Sequence, residues 1–72
     1  MVGQKVDTPL GRGIVQGRYA LTDGNGAVVE VRQLVRIVIN DETVKHLGDE
    51  NCLTPRASRE ALFTFKMEEI HE

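Results

Sequence analysis

The chain has 72 residues and a formal net charge of −2, which makes it a single domain (1–72) too small for a large cleft; a domain of about 60 residues buries only about 60% of its unfolded surface, so a partner or oligomer would add to its stability. Nothing approaches the roughly 20 apolar residues of a membrane span, Met1-Val2-Gly3-Gln4-Lys5 is no apolar leader, and Cys52 is a single thiol, so the expectation is a soluble cytoplasmic protein with no internal disulfide. The acidic balance also argues against strong non-specific nucleic-acid binding.

Only Tyr19, Phe63 and Phe65 are aromatic, so the core must come mainly from Val, Ile and Leu, which favours strands. Gly3 to Asp7 reads as a short first strand. Thr8-Pro9-Leu10-Gly11 reads as a turn, with proline fixing φ at its second position. Gly13 to Leu21 then alternates, placing Val15, Tyr19 and Leu21 on one inward face with Gly17, which marks a bulge or sharp bend.

Thr22-Asp23-Gly24-Asn25-Gly26 is a hairpin loop, because Gly and Asn supply positive φ between two alternating runs. Ala27 to Ile39 alternates almost without interruption, with Val29, Val31, Val35, Ile37 and Ile39 opposite Glu30, Arg32, Leu34, Arg36 and Val38. At about 3.3 Å per residue that run would span roughly 43 Å, so it must curl or break around Arg32-Gln33-Leu34.

Asn40 to Gly48 carries helix punctuation, with an Asn cap, acids in the first turn, basic residues in the last and Gly beyond, predicting a short helix near 41–47 with Val44 and Leu47 inward. Asp49 to Ser58 reads as a connection anchored by Leu53, with a turn starting at Thr54-Pro55. At the C-terminus Phe63, Met67 and Ile70 match helical spacing, whereas Phe63, Phe65 and Met67 match strand spacing. The propensity of Phe-Thr-Phe favours a strand over Leu62 to Lys66, with a helix capped at Ser58 as the alternative. The tail is expected to turn and pack Met67 and Ile70 onto the barrel.

Val6-Asp7-Thr8-Pro9-Leu10-Gly11-Arg12-Gly13-Ile14-Val15 resembles the opening of SH3-like small barrels in uncharacterised bacteriophage, prophage and gene-cassette proteins. Val35 to Asp41, Asn51 to Ala57 and Leu62 to Phe65 also look like blocks of small phage-type proteins, so about half the chain takes part. The resemblance implies a mobile-element accessory protein and carries no activity over.

His46, Asp49 and Cys52 hold the parts of a nucleophilic site, but no oxyanion hole or pocket is signalled, and Cys52 suits a small apolar anchor better. A metal site there would need a further ligand, for which His71 is the only other histidine. Gly11-Arg12-Gly13 has the chemistry of an anion nest, yet it fits no phosphate-loop spacing, and a barrel corner explains the glycines. No metal or cofactor is expected.

Charge is polarised along the chain. Residues 1–39 carry five basic against three acidic side chains, for +2, and residues 40–72 carry four against eight, for −4. Alternation puts Arg18, Arg32 and Arg36 on an outward sheet face, either as a stripe for phosphates or acidic proteins or as partners of nearby carboxylates such as Glu30. Arg56 and Arg59 lie on a segment suited to a recognition rim, or offset Glu60 and the acidic tail.

These readings converge on an SH3-like, strongly bent barrel of five or six strands with one short helix. The favoured function is non-enzymatic: a phage or mobile-element accessory protein that binds another macromolecule, most naturally a protein, with Arg18, Arg32, Arg36, Arg56 and Arg59 as candidate contacts and a homodimer compatible with its size. A nucleic-acid-binding module using the arginine face, and a small oligomeric enzyme with a site between subunits, are the alternatives.

Overall fold

The computed structural model describes residues 2–55 and 59–72; of the connection expected over Asp49 to Ser58, residues 56–58 lie outside the described residues, and Cys52–Pro55 is a strand rather than the start of a turn. The chain is mainly β. Five strands, β1 (Lys5–Thr8), β2 (Gly11–Thr22), β3 (Val28–Val38), β4 (Cys52–Pro55) and β5 (Glu60–Phe65), form one antiparallel sheet in the order β1-β2-β3-β5-β4. The sheet is not closed into a barrel. Its C-terminal end nevertheless returns to β1, where the Asp7 and His71 backbones exchange hydrogen bonds of 2.6 and 3.0 Å.

Register explains the core. Val6, Gly13, Ile37 and Ala61 lie in one row across β1, β2, β3 and β5, and Val15, Val35 and Phe63 in the next. These residues and Phe65 are buried, with Leu10, Ile39, Leu47, Cys52 and Ile70 packed around them. Fully burying each large apolar side chain contributes about 1.5–3 kcal/mol. Gly13 is required by this row, because a Cβ there would stand 2.5 Å from Val35 Cγ1 and 2.7 Å from the Arg36 carbonyl oxygen.

The corner and the hairpin follow the expected chemistry. Thr8 Oγ1 accepts the Leu10 N–H and donates to the Gly11 carbonyl, and Gly11 takes a φ of 115° that disfavours L side chains. Asp23 Oδ1 accepts the N–H groups of Asn25 and Ala27, while Gly26 turns the chain at a φ of 85°.

The short helix and the inward placing of Val44 and Met67 are corrected. The helix near 41–47 is only a 3-10 turn, Thr43–His46. Asn40 Oδ1 caps the N–H groups of Glu42 and Thr43 as its sequence suggests, but Thr43 Oγ1 also bonds the Asn40 backbone, and this local competition accompanies i to i+3 bonding in a segment too short to propagate. Thr43 is buried there and Val44 is exposed, while Leu47 does pack on the core. The C-terminal alternative resolves in favour of the strand, followed by a second 3-10 turn, Met67–Glu69; Ile70 packs inward and Met67 remains exposed.

β3 does not break at Arg32-Gln33-Leu34; it runs as one strand from Val28 to Val38. Its ladder with β2 is irregular at two other places: Val15 pairs with Val35 but Gly17 with Leu34, leaving Gln16 of β2 as an extra residue, and Leu21 pairs with Glu30 but Thr22 with Val28, leaving Val29 of β3 as another.

Candidate functional site

The bulge at Gln16 determines which side chains meet. Without it, Tyr19 and Leu21 would share the core face with Val15. One inserted residue reverses the parity of β2, so Tyr19 stands opposite Arg32 and Leu21 opposite Glu30 on the second face of the sheet. The expected inward position of Tyr19 and Leu21 is therefore corrected; each is 36% exposed.

β5 pairs only with Gln33 to Val38 of β3. Residues 28–32 consequently extend beyond β5, held by β2 alone, as a two-stranded arm that exposes Val28, Val29 and Val31 together with Tyr19 and Leu21. At the base of the arm, Tyr19, Leu21, Glu30, Arg32, Glu50, Asn51, Leu53 and Thr64 enclose a trough of about 250 Å³.

Arg32 is only 7% exposed. It donates from Nε to Thr64 Oγ1 at 3.0 Å, from Nη2 to the Thr64 carbonyl at 2.9 Å and from Nη1 to Glu30 at 3.2 Å, and Glu69 lies 3.8 Å from Nη2. A guanidinium can be buried when its fork meets fixed acceptors in this way. Thr64 presents its hydroxyl here because β5 alternates, with Phe63 and Phe65 on the core face and Thr64 on the other. Its position between two phenylalanines was a usable signal for this partner; the approach of Glu50, Asn51 and Leu53 to the arm had none in sequence.

The candidate arginines do not form one stripe. Arg18 is exposed and pairs in register with Gln33, on the opposite face from Arg32 and Arg36. Arg36 is half-buried and bridges to Glu60 at 3.4 Å. Arg59 is exposed, and its carbonyl accepts the Ile39 N–H. Arg56 lies outside the described residues.

The two other constellations have structural partners. Arg12 sits 3.4 Å from Asp7 at the exposed corner, and the strand from Gly11 to Gly13 pairs with β1. His46 Nδ1 approaches Asp49 Oδ2 at 2.8 Å, but Cys52 Sγ has no hydrogen bond among the described residues. Burial raises the Cys52 pKa, reinforced by the Asp49 carboxylate, which opposes formation of the nucleophilic thiolate. His46 and Asp49 instead border a second cavity of about 150 Å³, with Pro9, Leu10, Phe65 and Glu69, that shares Arg32, Asn51 and Thr64 with the trough. Among the described residues, no three His, Cys, Asp or Glu side chains converge as a metal-ligand set.

Fold and surface together define a small, all-β antiparallel module with a projecting hairpin. No family model, curated protein or solved structure matches the chain.

Proposed function

We infer that this chain is a non-enzymatic accessory module, of phage or mobile-element origin, that binds another protein through the β2–β3 arm. The observation that carries this reading is the exposure of apolar side chains on both faces of the arm, Tyr19 and Leu21 on one and Val31 on the other, with Val28 and Val29 exposed toward its tip, where the arm continues past the end of β5. Exposed apolar side chains gathered on one projecting element of a small domain mark an interaction site, and a strand edge without a neighbour offers backbone groups to an incoming chain. Mobile-element origin rests on the sequence resemblance. The SH3-like reading is supported by the Thr8 to Gly11 corner, by the five-stranded antiparallel order and by the Asp7–His71 tie that returns the C-terminal end to β1. Dispersal of the arginines over both faces favours a protein partner over a phosphate backbone.

A photo-crosslinking side chain at Val29, expressed in cells of the native host, tests this reading against the same group at Lys5 on β1. The expected result is a recurrent protein adduct at position 29 alone. Adducts to nucleic acid only, or equal adducts at both positions, would overturn it.

A further inference from the structure

The trough beside the arm combines two properties that together specify an occupant. Its sides are apolar, built from Tyr19, Leu21 and Leu53, and its polar groups carry an excess of negative charge. Among the described residues, Arg32 contributes the one positive charge in its lining, but the donors of that guanidinium are already directed at Thr64 and Glu30, with Glu69 close by. Two carboxylates thus share one cation. Glu50 joins Glu30 as a second carboxylate of the trough lining and has no ion-pair partner among the described residues.

We propose that the trough receives an arginine side chain from an extended segment of a partner protein, its stem lying along Leu21 and Leu53, its guanidinium over Tyr19 and toward Glu50. A long basic side chain buries its methylenes on apolar walls while its head meets carboxylates, and a guanidinium also stacks on an aromatic ring. Arginine is therefore favoured over lysine. This rests on the protein-binding reading and specifies the chemistry of the partner.

Three capped pentapeptides with alanine flanks and a central arginine, lysine or glutamate provide the probe. Each is titrated at low salt into the isotopically labelled full chain while backbone amide resonances are followed. The arginine peptide is expected to shift Tyr19, Leu21, Asn51 and Leu53 saturably, the lysine peptide more weakly, and the glutamate peptide not at all. Glu50→Gln, at an exposed position, should weaken arginine-peptide binding about two- to fivefold with the spectrum otherwise unchanged, the effect expected of one solvent-accessible charge pair. Leu53→Ala should weaken it as well.

Equal shifts with the glutamate peptide, shifts confined to surfaces outside the trough, no saturable shift with any peptide, or indifference to Glu50→Gln would each overturn the proposal. Such a failure leaves the crosslinks at Val29 intact. Arginine-peptide binding without those protein crosslinks would instead count against the protein-binding reading.

Discussion

Arg32 and Thr64 are joined twice, through Nε to the threonine hydroxyl and through Nη2 to the threonine carbonyl, at 3.0 and 2.9 Å. This pair fastens the base of the arm to the end of β5, where Gln33 and Phe65 make the final β3–β5 register contact. Charge-assisted hydrogen bonds of this kind contribute about 1.5–3 kcal/mol each in difference measurements, and the two are not additive. Arg32→Ala is expected to lower the unfolding free energy by about 2–3 kcal/mol in urea titration. Arg32→Lys should recover less than half of that, because an ammonium lacks the planar fork. Full recovery by lysine would show that charge alone is what matters.

Gly13 lies in the row from Val6 to Ala61, and one of the atoms in the way of a side chain is the backbone oxygen of Arg36. A backbone atom cannot rotate aside. Gly13→Ala should destabilise the fold by about 1–3 kcal/mol through overpacking, whereas Gly24→Ala, with open space around its Cβ position, should change little. Paired thermal melts compare them. Equal midpoints would contradict the packing described for β2 and β3.

Asp23 holds the hairpin by accepting two N–H groups with one carboxylate oxygen, at 2.8 and 3.0 Å. Asp23→Ala removes both acceptors from an exposed loop and should cost about 1 kcal/mol. Hydrogen exchange at Asn25 and Ala27 should accelerate, while Val35 and Phe63 in the core retain protection except as global stability falls. Protection at Ala27 unchanged by the substitution would contradict the loop geometry.

Cys52 has its pKa raised by burial and then by Asp49. The neutral thiol is favoured by folding, so this group's contribution to stability is fully present below the unfolded pKa and is lost as pH rises through the higher folded value. Alkylation by iodoacetamide at neutral pH should be slower than for a free thiol, with the rate still climbing above the ordinary thiol range. Asp49→Asn should increase the rate modestly. A fast, pH-independent reaction near neutrality would reveal an activated thiolate and revive the nucleophilic reading.

The elements that depend on local chemistry were legible in the sequence. Pro9 and Gly11 at the corner, Asp23 and Gly26 in the hairpin, and Asn40 as a cap act within three or four residues of themselves, so their positions alone locate the turns. The candidate site was less legible. Arg32 could be singled out, but not its burial, and the Glu50 to Leu53 wall is brought to the arm only when β4 pairs with β5.

Sequence alone therefore determined that the chain is mainly β, where its hairpin turns, and that Val29, Val31, Val35, Ile37 and Ile39 alternate along β3; the structure buries Val35 and Ile37 and exposes Val29 and Val31, which lie past the end of β5. Tertiary structure decided which face Tyr19, Leu21 and Arg18 occupy, because alternation has meaning only relative to the ladder of a neighbouring strand. One unpaired residue, Gln16, reverses every side chain of β2 beyond it. It also decided that 41–47 makes a 3-10 turn, since propagation of a helix depends on more length and packing than that segment receives.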